Sequence, residues 1–180
     1  MGTLIARALW LLTLSYGFAW AQAAPSIPPE MGAAGAVSRI VQGIVSYTRW
    51  PTPPARVRLC VVGQSEYADA LFPNGLQTVA TTIQTQRMPI GDSHLGAECD
   101  VVYSGVLTDS ERDRLRSDLA GHPVLTISEH DDTCSSSSAF CLVIHGIDVS
   151  FAVNLDAVAR SGVRVNPQVL LLGRRQGIKP

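Results

Sequence analysis

Apolar residues recur along this chain in two distinct periods. Val37, Ile40, Val41, Ile44 and Val45 return at helical spacing, which predicts an amphipathic helix from Ala33 to about Thr48, stopped by Pro51. Arg56 to Gly63 instead alternates through Val57, Leu59 and Val61, the pattern of a strand. Glu66 to Leu71 suits a short helix ended by the turn signal Pro73-Asn74-Gly75. Thr81 to Met88 reads as strand, and Asp100 to Tyr103 is a short apolar run of buried-strand type.

The second half carries sharper boundary signals. Thr108-Asp109-Ser110-Glu111 is a capping-box start for a charged helix with Leu115 and Leu119 on one face, ending near Gly121. Val124 to Ile127 is another buried strand, followed by the polar stretch Ser128 to Ser138. Cys141 to His145 and Val149 to Val153, joined through Gly146-Ile147-Asp148, form a hairpin signal. Leu155 to Arg160 is a short helix closed by Gly162, and Val163 to Val165 is extended. Asn166 caps and Pro167 opens a last helix over Gln168 to Arg175. Strands alternating with helices define an α/β class: a single compact layered domain, mostly parallel sheet with one antiparallel hairpin, flanked by helices.

The N-terminus reads differently. Arg7 precedes the apolar run Ala8 to Ala19, and Ala19-Trp20-Ala21 or Ala21-Gln22-Ala23 supplies the small-x-small pattern of signal peptidase sites. The run falls short of the roughly 20 residues that span a bilayer, and Pro25, Pro28 and Pro29 follow at once. Residues 1–23 are therefore expected to be a signal peptide, 24–30 a flexible lead-in and 31–180 one domain. The chain holds 14 Lys and Arg against 15 Asp and Glu; without Arg7 the balance is 13 against 15, a formal charge of −2. Such a balance gives no electrostatic footprint for nucleic acid or acidic lipid. Lys179 is the only lysine, so the cations are arginines, suited to planar contacts with carboxylates and aromatic faces.

Export changes the reading of the cysteines. Cys60, Cys99, Cys134 and Cys141 are an even set in an oxidising compartment, which points to two disulfides. Three pairings are possible, of which the sequential one is simplest: Cys60 with Cys99 and Cys134 with Cys141. No Cys-x-x-Cys occurs and no histidine sits at ligand spacing from a cysteine pair, so neither a redox pair nor a metal site is expected. His94, His122, His130 and His145 are scattered and belong to no motif with a serine or cysteine nucleophile. Asp131-Asp132 lacks the spaced oxygen ligands of a calcium loop, and no glycine-rich phosphate cradle exists.

Several ordered blocks carry a resemblance. The stretch Gly43 to Pro51, the paired cysteines, Ala139-Phe140-Cys141-Leu142-Val143-Ile144-His145, Phe151-Ala152-Val153-Asn154-Leu155-Asp156 and Ser161-Gly162-Val163-Arg164-Val165-Asn166-Pro167 resemble the YfiR family. The resemblance spans nearly all of the chain after its leader. It implies a periplasmic α/β domain with two disulfides that forms homodimers and has no catalytic activity; the residues themselves call for no cofactor or metal. It further implies a partner, the periplasmic sensor domain of an inner-membrane diguanylate cyclase (YfiN-like), held inactive by the repressor. An outer-membrane lipoprotein (YfiB-like) would relieve that hold by sequestering it. Less cyclic di-GMP and weaker biofilm follow.

Within the matched blocks, Arg49, Trp50 and Arg164 are candidates to bind a flat aromatic or carboxylate ligand or a partner; the alternative is that all three only brace helix ends. Ile40, Ile44 or exposed apolar residues near the last helix are further candidates for partner contact. Two rival classes carry distinct signatures. An exported enzyme would show a histidine within reach of both a nucleophile and an orienting carboxylate. A small-molecule-binding protein of α/β type would show a mostly apolar pocket with a few convergent polar groups.

Overall fold

A computed structural model describes residues 32–72, 76–77, 82–131, 133–134 and 138–174. The expected signal peptide, the lead-in and the Pro73-Asn74-Gly75 turn lie outside them.

The first apolar period forms α1 (Ala33–Ser46), which buries Val37, Ile40, Val41, Ile44 and Val45 along one side. It ends two residues earlier than the spacing predicts. Tyr47 N–H closes on the Gly43 and Ile44 carbonyls, Thr48 Oγ1 donates to the Ile44 carbonyl, and the backbone then extends into β1 (Thr48–Arg49). Further on come β2 (Val57–Val62), β3 (Leu76–Gln77), β4 (Thr82–Arg87), the short helix α2 (Leu95–Glu98) and β5 (Val101–Ser104). The second half contributes α3 (Asp109–Asp118), β6 (Leu125–Ser128), the hairpin β7 (Phe140–His145) and β8 (Asp148–Val153), α4 (Leu155–Arg160), β9 (Arg164–Val165) and α5 (Leu170–Arg174). The capping box is formed: Thr108 Oγ1 accepts from Glu111 N–H, and the Glu111 carboxylate accepts from Thr108 N–H at 2.8 Å.

Among the described residues the main sheet has seven strands in the order β3-β4-β2-β5-β6-β7-β8. β4, β2, β5, β6 and β7 run parallel, and β3 and β8 pair antiparallel at the two edges. The central strands β2 and β5 are buried on both faces. Val57, Leu59, Val61, Val101, Tyr103, Leu125, Ile127 and Phe140 pack with α1 on one face, while Cys60, Val62 and Val102 pack with Leu95, Leu115 and Leu119 of the α2 and α3 region on the other. Two-sided burial explains why the central strands read as near-continuous apolar runs.

Several expectations shift in detail. Glu66 to Leu71 yields one 3-10 turn at Ala68–Leu71. The last helix splits into a 3-10 turn at Pro167–Val169 and α5, with Asn166 Oδ1 capping Gln168 N–H. α2 has too few residues to show a period and was not foreseen. Both disulfides follow the sequential pairing: Cys60–Cys99, buried, ties β2 to the chain entering β5, and Cys134–Cys141 closes the β6–β7 crossover.

Candidate functional site

The crevice where open α/β sheets hold ligands lies at the carboxyl ends of the strands, where the chain order reverses. Here β2 leads to β4 on one side and the chain then returns to β5 on the other, so the reversal falls between β2 and β5. It is closed. Gln64 and Val106 form a backbone bridge across it, and a Cβ on Gly105 would stand 1.9 Å from the Gln64 carbonyl oxygen, so only glycine fits. The adjoining cleft measures about 10 Å³. Below it Glu129, at the end of β6, is buried and accepts from Glu66 N–H at 2.6 Å, Tyr67 N–H at 3.3 Å and Tyr103 Oη at 2.7 Å. Burial first, then the neighbouring Glu129 charge, pushes the Tyr103 phenol well above its ordinary range, so it remains the donor. His130 Nε2 lies 3.2 Å from Glu129, and His94 Nδ1 lies 3.0 Å from Asp92. Among the described residues neither imidazole is hydrogen-bonded to a hydroxyl or thiol.

The opposite end of the sheet is built differently. β1 and β9 pair antiparallel with Thr48 opposite Val165 and Arg49 opposite Arg164. Asn166 N–H adds a bond to the Tyr47 carbonyl at 2.9 Å. The register sends Thr48 into the core and leaves both guanidinium groups exposed on the same face of the ribbon. Arg49 Nη1 donates to the Ser46 and Thr48 carbonyls, each at 2.7 Å, capping the end of α1. Arg164 has no hydrogen-bonded or ionic partner among the described residues. Two like charges directly opposite destabilise a strand pair; a carboxylate or phosphate between them would reverse the sign of that interaction.

Trp50 does something else. Its Nε1–H donates to the Asp100 carbonyl at 3.1 Å, and its ring packs half-buried against the core under α1. Asp100 in turn accepts from Arg58 N–H, Nε and Nη2 at 2.8, 3.0 and 2.8 Å, a bidentate pair reinforced by backbone. The indole thus fastens the ribbon to the start of β5. Ile40 and Ile44 are 3% and 0% exposed inside the core, which takes both off the list of partner contacts. The helical period that singled them out is the period of the buried face. Leu170 and Leu171, at 50% and 46%, are the exposed apolar pair at the last helix, with Leu155 at 76% nearby in sequence on α4.

A groove of about 350 Å³, missed in the sequence, sits off the same end of the sheet. Parallel neighbours usually need a helix between them. Among the described residues the β6–β7 connection carries none, and the disulfide Cys134–Cys141 ties that connection to β7. Among the described residues no helix of that connection lies over the sheet face beside α3. The floor is Leu115, Leu119, Val124 and Ala157, and Arg116 and Arg160 stand at the rim.

These features define a class: a disulfide-stapled α/β domain that carries an exposed two-arginine ribbon and an apolar groove off the same end of its sheet. The family follows from most of the chain. It belongs to the YfiR/HmsC-like family, whose model matches residues 35–174 and so takes in α1, the full sheet and the ribbon. That family is periplasmic and regulatory rather than catalytic, and it acts in cyclic di-GMP signalling. Among the described residues no helix is long and apolar enough to cross a membrane.

Proposed function

We propose that this protein is exported through its N-terminal signal peptide and represses an inner-membrane diguanylate cyclase by binding the cyclase's periplasmic sensor domain. An outer-membrane lipoprotein relieves the repression by taking up the repressor, and the working unit is a homodimer. The observation that carries the reading is the family match over residues 35–174, spanning the domain from α1 to α5. Two features support it. The closed β2–β5 crevice offers no cavity for catalysis, and Arg49, Arg164, Leu170 and Leu171 offer charged and apolar groups for a protein partner. A repressor shifts its receptor only by the difference in its affinity for the active and inactive states. Two disulfides holding the scaffold rigid keep the ordering cost of that association low.

The test is co-purification from membranes of cells carrying a tagged chain. Retention of a cyclase with a periplasmic domain is expected, together with raised cyclic di-GMP on deletion. Unchanged second-messenger levels on deletion would overturn the reading. The groove beside α3 favours a second reading, a periplasmic small-molecule-binding protein of α/β type, because it joins an apolar floor to a few convergent polar groups.

A further inference from the structure

We infer that the groove between the end of α3 and α4 is a binding site for a small organic anion: a carboxylate carried on an aromatic or branched apolar body. The inference rests on the second reading above and gives it a ligand class.

Size comes first. About 350 Å³ falls within the range of small-ligand sites and far exceeds the cleft at the switch point. Leu115, Leu119, Val124 and Ala157 give it an apolar floor that would gain by covering from water. Charge then selects the ligand. None of the described lining residues is Asp or Glu, whereas Arg116 and Arg160 both reach the rim. The two differ in availability. Arg116 Nη2 is already held by Asp113 at 2.5 Å, one turn back on α3, so its charge is largely spoken for. Arg160 has no hydrogen-bonded or ionic partner among the described residues.

Arg160 sits in the last turn of α4, where a cation complements the helix dipole, but that role leaves its fork of donors open. The terminal carbonyls of α3 do not compete for a ligand donor. The Ser117 and Leu119 carbonyls accept from Ala120 and His122 N–H as the helix turns into β6. What the groove presents to a ligand is therefore apolar area at the base and a planar cation at the mouth, which matches an amphipathic monocarboxylate.

Gly162 holds this mouth in place. It ends α4 at φ +71°, and a Cβ there would meet Pro123 Cα at 3.3 Å, so α4 is drawn against the chain entering β6. The same segment continues into Arg164. A ligand on Arg160 would thus lie four residues from the ribbon, in line with a small molecule tuning partner contact.

The experiment is calorimetric titration of the purified oxidised protein with 4-phenylbutyrate and with its neutral amide. Saturable binding of the carboxylate is expected, with the amide weaker by about tenfold or more, the loss of a charge-assisted contact. Arg160→Ala should weaken the carboxylate by a similar factor. Ala120→Trp, an exposed rim position, should abolish binding while leaving the thermal midpoint unchanged, and Arg164→Ala should leave affinity intact. Equal affinity for the amide, or full affinity in Arg160→Ala, would sink the anion assignment while keeping a small-molecule groove. Absence of binding by either probe would sink both, and loss in Arg164→Ala alone would move the site to the ribbon.

Discussion

The Tyr103 hydroxyl donates to Glu129 at 2.7 Å, inside a core where both side chains are out of contact with water. Glu129 is also the acceptor for the Glu66 and Tyr67 amides, so one carboxylate joins β5, β6 and the loop after β2. Removing the phenol oxygen takes one donor from a buried charge, at a cost of about 1 to 3 kcal/mol. Tyr103→Phe should therefore lower stability by that amount in denaturant titration, and Glu129→Ala, which orphans three donors, should cost more. Indistinguishable unfolding curves would contradict the assigned network.

The same pair sets an alkaline limit. The Tyr103 phenol is raised above its ordinary value of 10.0, chiefly by burial and then by Glu129. A group whose pKa is raised on folding contributes stability fully below the unfolded value and loses it as pH climbs beyond that value. Stability should hold up to about pH 10 and fall above it, and Tyr103→Phe should flatten that fall. Chemical denaturation at several alkaline pH values checks this; parallel limbs for both proteins would count against it.

Cys60–Cys99 and Cys134–Cys141 close loops with sequence separations of 39 and 7 residues. Chain entropy assigns them about 4 and 2.5 kcal/mol. Against a domain stability of about 5 to 15 kcal/mol, the Cys60→Ala/Cys99→Ala pair should lower the unfolding midpoint more than the Cys134→Ala/Cys141→Ala pair. Reductant should also weaken capture of the proposed membrane partner. If it leaves both binding and midpoint untouched, the staples are idle.

Arg49 and Arg164 make opposite predictions for one ribbon. Arg164→Ala removes a like-charge neighbour and no hydrogen bond or ion pair among the described residues, so at low salt it should leave stability unchanged or raise it by about 0.2 to 1 kcal/mol. Arg49→Ala removes the bonds to the Ser46 and Thr48 carbonyls and should destabilise. If the ribbon meets the partner, both weaken binding. Trp50, the one tryptophan after residue 20, reports the outcome by fluorescence.

Asp100 tests the brace beneath that ribbon. Its carboxylate accepts three bonds from Arg58, so Asp100→Ala should cost about 1 to 3 kcal/mol. The backbone carbonyl that receives the Trp50 indole remains, so the fluorescence maximum should change little. A large red shift would show that the side chain, not the main chain, positions the indole.

The local elements are legible in the order of residues alone. The 3.6-residue period of Val37 to Val45, the alternation of Val57 to Val61, the Thr108–Glu111 box and the Gly146 hairpin each depend on neighbours a few positions away, and each is present in the fold. The resemblance in the ordered blocks likewise needed no coordinates. Tertiary structure decided what those elements meet. The helical period marked Ile40 and Ile44 without saying that the face they share is turned inward. Trp50 could have been a platform until its N–H was spent on the Asp100 carbonyl. The opposition of Arg49 and Arg164 depends on the register of two distant two-residue strands too short to carry a period, and the groove is lined by α3, the start of β6 and α4, which are far apart in the chain. Short-range periodicity fixes which residues share a face; only long-range packing fixes what that face touches.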